Sequence, residues 1–230
     1  MLGVNKSKKI AFTLTELLIA MGIIGLIAAI TIPSLVNNIY KRAFATELKN
    51  ITGSIKQLAQ EQMIKHKVYY LEETDFKSAA ELFKDENFAI SQKCGNPLVD
   101  CWKTSATGKD KITYQFLNGT NVADTAKNNP TIVLKNGAIL MYRSGISYEL
   151  DNGDKIIGNF FIDVNGNEPP NIEGRDFFSV YITNKGKITN AQGNDKMTTE
   201  EYKSGCLGES GGAASYCYSL IEQSGWTMPY

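Results

Sequence analysis

Residues 17–40, LLIAMGIIGLIAAITIPSLVNNIY, form a run of 24 residues without a charged side chain. A helix rises about 1.5 Å per residue, so about 20 of these residues would cross a hydrocarbon core of about 30 Å. Lys6, Lys8 and Lys9 precede the run, and no acidic residue occurs among the first 11. Because basic residues favour the cytoplasmic side, the sequence predicts one membrane span with everything after Tyr40 exported.

A cleaved secretory signal is the alternative interpretation of this stretch. It would have a basic start, an apolar centre and small residues at Ala28 and Ala29. Two features oppose it. The apolar run is longer than the centre of a usual signal, about 7–15 residues, and Glu16 stands at its front edge, where a lone carboxylate is costly.

Apolar residues continue beyond residue 40 at helical spacing. Phe44, Leu48, Ile51, Ile55 and Leu58 are separated by four, three, four and three positions, which places them in one stripe of an amphipathic helix. No proline interrupts the chain between residues 34 and 66. The pattern predicts a single helix over about residues 12–65, whose second half packs against a soluble head.

The rest of the chain is typical of a β-sheet. Asn136-Gly137, between two apolar runs, predicts a hairpin because Asn-Gly supplies the positive φ of a tight turn. The predicted fold class is therefore α+β, with a long transmembrane-plus-amphipathic helix packed on an antiparallel β-sheet head. The expected strands cover residues 112–117, 131–134, 138–142, 146–150, 156–164, 177–183 and 187–189, and a short helix is expected near residues 79–83.

Four cysteines occur in two local pairs, Cys94 with Cys101 and Cys206 with Cys217. Export would place them in an oxidising compartment, where pairing is expected. Three connectivities are possible, and neighbour pairing is favoured because it closes the shortest loops; buried free thiols are the alternative. The glycine-rich residues 207–216 are expected to be an irregular loop.

Composition argues against several classes of function. The chain has 230 residues, 24 basic and 24 acidic side chains and one histidine, His66. The balanced charge favours no nucleic acid partner, and one histidine argues against zinc enzymes and histidine-based triads. Residues 208–212 match a nucleophile-elbow pattern around Ser210, but neither a strand pattern before it nor a histidine base accompanies it. The sequence predicts no enzyme and no required cofactor.

Oxygen-bearing side chains alternate in one segment of the head. Asp163, Asn165 and Asn167 occupy positions one, three and five, as in calcium-binding loops, and Asp176 follows nearby. Glu168 and Glu173 could add carboxylates. The glycine and the final glutamate of a regular calcium loop are missing at their usual positions, so a plain turn after a strand is the favoured interpretation and calcium the alternative.

Residues 8–20, KKIAFTLTELLIA, resemble the class III signal of the type IV pilin and type II secretion pseudopilin superfamily. In that family a prepilin peptidase cuts before the aromatic residue and methylates the new amino terminus. The resemblance implies cleavage between Ala11 and Phe12, and it makes Glu16 the family's glutamate near the mature terminus. Pro33 also falls where the family usually has a proline. The family prefers glycine before the cut, and Ala11 departs from that preference.

The resemblance implies three segments: a cleaved leader (residues 1–11), a transmembrane and filament-core helix (12–40), and a pilin-like head (41–230). The last includes the amphipathic half of the helix. The implied protein is a structural subunit of a type IV pilus or type II secretion pseudopilus, held in the inner (cytoplasmic) membrane by a single pass with its head outside the cytoplasm. Its implied partners are prepilin peptidase, other pilin or pseudopilin subunits and the inner-membrane assembly machinery.

The resemblance also assigns Glu16 a role in assembly, as partner of the positive amino group created by cleavage before Phe12. The alternative is a glutamate that only reaches the lipid headgroups. The C-terminal loop closed by Cys206 and Cys217 resembles the disulfide-pinned loop of many pilins. A rival from another class is an exported, membrane-anchored ligand-binding protein or enzyme that does not polymerise.

Overall fold

A computed structural model describes residues 13–108, 111–122, 129–193, 197–208 and 213–230. The chain divides into two compact units, Met1–Tyr40 and Lys41–Tyr230. The first contributes the start of a long helix, and the second contains the rest of that helix together with the sheet and the C-terminal segments.

The long helix is α1, Leu14–His66. It matches the predicted helix within two residues at each end, and its assignment is continuous through Pro33. By length and composition α1 could cross a membrane, and no residue of its apolar window is buried within the protein. Three of its side chains show how open this surface is, with Leu18, Ile24 and Ile30 between 61% and 70% exposed.

The second half of α1 packs on the head. The predicted stripe is confirmed, because Phe44, Leu48, Ile51, Ile55 and Leu58 are all buried. The helix ends in a Schellman motif, in which the Val68 amide donates to the Met63 carbonyl and the Lys67 amide to the Ile64 carbonyl. Lys67 has the positive φ of this motif, 55°.

Six antiparallel strands follow in chain order, each bonded to the next, so the predicted antiparallel head is confirmed. The Asn136-Gly137 hairpin connects the second and third strands. The strands are β1 Ile90–Lys93, β2 Thr131–Leu134, β3 Ile139–Glu149, β4 Lys155–Asp163, β5 Phe177–Thr183 and β6 Ile188–Thr189.

Strand predictions were wrong in two places, and one strand was missed. Residues 112–117 form no strand, since Gln115 makes only isolated bridges to Asn121 and Ile172. Residues 138–142 and 146–150 belong to one strand, β3, because a register irregularity after Ser144 lets the chain continue through Gly145. β1 was not predicted, because Ile90-Ser-Gln-Lys93 has one apolar residue and is an exposed edge.

The sheet is covered on both faces. On one face Tyr142, Phe160 and Phe178 join the core that includes α1. On the other face Met141 and Phe177 pack with Trp102 and Tyr114 in a second core. The second core explains the apolar alternation of residues 112–117 without a strand, because Tyr114 is buried there as part of an irregular segment.

Short helices complete the head. α2 is Ala79–Leu82, as expected near that position, and its first turn is capped by Ser78. Two 3₁₀ turns, Leu71–Glu73 and Asp75–Lys77, lie between α1 and α2, and a π-turn, Pro97–Cys101, lies between β1 and β2.

The C-terminal region differs from the predicted loop. It contains two helices, α3 Thr199–Leu207 and α4 Ala213–Gln223. α3 begins with a capping box between Thr198 and Glu201, a signal present in the sequence. The irregular-loop prediction was wrong on both sides of residues 209–212, which lie outside the described part of the chain.

Candidate functional site

The N-terminal end of α1 carries the residues expected to direct processing and assembly. Ala11 and Phe12 lie outside the described residues. Glu16 is described, and its Oε2 accepts hydrogen bonds from the Thr13 amide and the Thr13 hydroxyl, each at 2.8 Å. The Glu16 amide donates to Thr13 Oγ1 at 3.2 Å. These reciprocal bonds form a capping box, which sequence reasoning missed although Thr-x-x-Glu is its signature.

Glu16 is the single charged residue of residues 13–40. The side chains that follow it, such as Leu17 and Ile19, are 47% and 58% exposed. An apolar helix with one carboxylate at its start is suited to lie in lipid or against other apolar helices.

Both local cysteine pairs are bonded in the structure. Cys94 and Cys101 have Cα atoms 6.1 Å apart, and those of Cys206 and Cys217 are 4.6 Å apart. Cys101 is buried in the second core, whereas the second pair is buried between α3 and α4. Each bridge therefore closes a segment that lies outside the six strands.

The second disulfide contacts the loop between β4 and β5 at Gly174. A Cβ atom on Gly174 would stand 2.4 Å from Cys217 Sγ, and its φ is +86°. The Gly174 carbonyl accepts a hydrogen bond from the Tyr230 hydroxyl, and Lys41 donates to the Tyr230 carbonyl. Gly174 therefore lies where the β4–β5 loop, the second disulfide and the C-terminal Tyr230 meet. Its position in the sequence does not reveal these contacts.

The β4–β5 loop, residues 163–176, is organised by two fully buried carboxylates. Asp163 Oδ2 accepts a 2.5 Å hydrogen bond from the Tyr114 hydroxyl, and Asp163 Oδ1 accepts from the Asn165 amide at 3.3 Å. Asp176 accepts from the amides of Asn171 and Ile172, each at 2.7 Å. The two aspartates therefore hold the start and the end of the loop.

Burial raises the pKa of both carboxyls. The charge of Asp176 adds to the rise in the pKa of Asp163. The Tyr114 hydroxyl opposes it, since its hydrogen bond favours the ionised form. Two buried acids thus interact in one loop.

The loop is also rich in hydrogen-bond acceptors. The side-chain oxygens of Asn165, Asn167 and Asn171 are buried and accept no hydrogen bond from the described residues. The structure brings together Asp163, Asn165 and Asp176 of the four predicted calcium ligands. Asn167 lies in the same loop with its side-chain oxygen buried, and the described residues contain no group of three or more His, Cys, Asp or Glu arranged to hold a metal ion.

The remaining sequence motif is the nucleophile-elbow pattern. Ser210 lies outside the described residues, and His66 is exposed at the end of α1. The Gly208 amide closes the last turn of α3, so the residues before Ser210 form a helix where an elbow requires a strand.

Comparison with known proteins adds one finding. A protein-family model, the prokaryotic N-terminal methylation motif, matches residues 6–32. No curated protein and no solved structure matches the chain. The match covers the basic residues, the Thr13–Glu16 capping box and the first half of the apolar helix, and it supports the resemblance seen in residues 8–20. The chain thus carries the N-terminal methylation signal of type IV pilins and pseudopilins.

Proposed function

We propose that this protein is a prepilin-like structural subunit that is cleaved by prepilin peptidase, held in the cytoplasmic membrane and polymerised into a type IV pilus or type II secretion pseudopilus. The observation that carries the proposal is the methylation motif at residues 6–32, placed at the start of an apolar helix that the head leaves uncovered. Cleavage between Ala11 and Phe12 would make Phe12 the new N-terminus, with Thr13 and Glu16 one and four residues after it.

The two halves of α1 suit two environments. The described side chains between residues 13 and 40 are not buried within the protein, so lipid would cover them in the membrane and neighbouring helices would cover them in a filament. After residue 40, one face of α1 packs against the rest of the head, and Leu48 and Ile55 on that face are fully buried. A subunit built in this way can exchange lipid for other subunits without unfolding its head.

Glu16 would make the exchange of lipid for other subunits specific, because its carboxylate needs an opposite charge. A carboxylate at depth in a bilayer costs on the order of 3 kcal/mol, and the Thr13 hydrogen bonds offset only part of this cost. An amino group at Phe12, on the same chain or a neighbour, provides an opposite charge. Pairing with a neighbour would favour assembled subunits over separate ones.

The test compares Glu16→Ala with Thr15→Ala in the full-length protein. Both variants should insert and be cleaved, because the basic leader and the apolar helix are unchanged. Glu16→Ala should fail to enter the sheared filament fraction, whereas Thr15→Ala should enter it normally. If Glu16→Ala entered filaments as well as the wild type, Glu16 would have no role in assembly and would only reach the lipid headgroups.

The rival is an exported, membrane-anchored protein that binds a ligand or acts as an enzyme without polymerising. It predicts no filament fraction for the wild type under conditions in which the N-terminus is processed. Genes for an assembly ATPase and a prepilin peptidase beside this one would favour the filament subunit.

A calcium ion in the β4–β5 loop is a second proposal, favoured by the unpaired oxygens of Asn165 and Asn171 beside two buried carboxylates. Hard cations collect six to eight such oxygens. Calorimetry of the detergent-solubilised protein should give heat on calcium addition, abolished in Asp163→Asn and retained in Asp85→Asn, whose carboxylate is in an exposed ion pair with Lys93. No heat at millimolar calcium would favour the plain turn.

A further inference from the structure

A groove of about 400 Å³ lies beside the head half of α1. Its walls are mainly apolar and include Ile51, Phe88 and Leu134, and its rim carries Glu47 and Lys135. Ile51 and Phe88 are part of the main core, so the floor is fixed by packing. A volume of this size can accept a large side chain with part of its backbone.

Glu47 leaves the rim of the groove open to a cation. Its carboxylate accepts a hydrogen bond from the Asn136 side chain, and within the described part of the chain no lysine or arginine forms an ion pair with it. A carboxylate at the edge of an apolar groove favours a ligand that combines an apolar group with a positive charge.

The end of α1 presents that combination. Tyr69 is 89% exposed, more than any other large hydrophobic side chain of the described head, and Ile64 is 76% exposed. Lys65, His66 and Lys67 lie between them, and residues 62–70 contain no acidic residue. The Schellman turn at Lys67 redirects the chain after the helix, which leaves Tyr69 outside the core. Residues 64–70 are called the tyrosine patch below.

We propose that the groove of one subunit receives Tyr69 of a second copy, with Lys67 of that copy next to Glu47. The contact rests on the proposed function, because it joins subunits of the filament. Burial of a tyrosine ring removes apolar surface from water while its hydroxyl keeps a polar partner, and Asn50 and Ser54 line the groove for that purpose. Glu47 and Lys67 carry opposite charges, whereas Lys135 on the same rim would repel Lys67, so the pair forms only on the Glu47 side of the groove and fixes the register of the contact.

The position of the two surfaces favours an open assembly. Glu47 and Ile64 are 17 residues apart in one helix, about 25 Å at 1.5 Å per residue. Groove and patch are therefore different surfaces of one subunit, and their contact is heterologous. Contacts of this kind extend from copy to copy instead of closing into a dimer, as a filament requires.

Cysteine cross-linking in filaments of the full-length protein tests the contact. Ser54→Cys places a thiol in the groove, where the serine hydroxyl donates to the Asn50 carbonyl of its own helix, and Tyr70→Cys places one in the patch beside Tyr69, which is kept. The double variant should give a reducible ladder of multimers. A mixture of the two single variants should give dimers, and the pair Ser54→Cys with Tyr148→Cys, an exposed tyrosine of β3, should give none.

Charge reversal gives the matched control. Glu47→Lys in the Ser54→Cys chain should lower the dimer yield about fivefold, and Lys67→Glu in the Tyr70→Cys chain should restore it. Filaments that form without the Ser54–Tyr70 cross-link, or dimers of Tyr70→Cys alone, would overturn the contact while leaving the filament function intact. A chain that keeps Met1 and forms no filament would overturn both.

Discussion

Thr13 and Glu16 bond each other reciprocally at the first turn of α1, with both Thr13 donors 2.8 Å from one Glu16 oxygen. The carboxylate therefore enters the apolar helix with two of its hydrogen bonds made. The same bonds cap the helix, whose first amides have no partner within the helix. Glu16 thus has a structural role before any neighbour binds it.

Removing the Thr13 hydroxyl should weaken this arrangement without removing the charge. Thr13→Val keeps the shape of the side chain and should cost about 1 kcal/mol of capping free energy. We expect filament incorporation to fall less than in Glu16→Ala, as measured by the ratio of sheared to membrane-bound protein. Thr15→Val is the control, and an equal loss in Thr13→Val and Glu16→Ala would show that the hydroxyl is as important as the charge.

Gly174 should tolerate no side chain. Gly174→Ala adds a Cβ 2.4 Å from Cys217 Sγ at a φ of +86°, so we expect the free energy of unfolding to fall by about 2–4 kcal/mol. Denaturant titration of the detergent-solubilised protein measures this change. Gly119→Ala has nearly the same φ, +87°, and open space around it, and should cost only about 1 kcal/mol. Equal losses in the two variants would contradict the contact with the disulfide.

Gly158 of β4 should be equally restricted by an aromatic ring. A Cβ there would lie 2.5–2.7 Å from three atoms of Tyr142, whose hydroxyl donates to the Phe76 carbonyl at 2.8 Å. Gly158→Ala should therefore destabilise the head by about 2–3 kcal/mol. Gly53→Ala, on the open face of α1, should stabilise it by about 0.5–1 kcal/mol, and both shifts can be read from thermal unfolding. A stable Gly158→Ala variant would refute the packing of Tyr142 on β4.

The stability of the metal-free head should depend on the acids of the β4–β5 loop. Burial raises the pKa of Asp163 above its ordinary value of 3.8, so the folded state binds this proton more tightly than the unfolded state. The contribution of Asp163 to stability is therefore lost as pH rises from about 4 through the folded pKa. In EDTA, Asp163→Asn should lose less stability than the wild type between pH 4 and pH 8. Parallel pH profiles would contradict the raised pKa.

Short sequence patterns predicted the elements whose signal lies within a few neighbouring residues. The stripe from Phe44 to Leu58 and the Asn136-Gly137 turn each carry a signal within a few residues, and both are present in the structure. Residues 112–117 have the alternation of a strand, yet Tyr114 is buried in a second core whose other members come from distant segments. No short window of sequence contains that information.

The residues of the candidate site also divide into those with a local sequence signal and those that only the fold brings together. The methylation signal and Glu16 could be read from residues 8–20, and the Thr13 capping box could have been found from its Thr-x-x-Glu spacing. The helices α3 and α4 were missed because glycines between Cys206 and Cys217 outweighed the capping box at Thr198. The contact between Gly174 and Cys217 joins residues 43 positions apart, so only the fold reveals it.

The mass of the mature N-terminal peptide, measured on protein purified from a membrane that contains prepilin peptidase, tests whether this chain is processed as a prepilin. A prepilin-like subunit should begin at Phe12 with a methylated amino group. A chain that begins at Met1, or one that begins beyond Ala28, would contradict the proposed prepilin-like subunit.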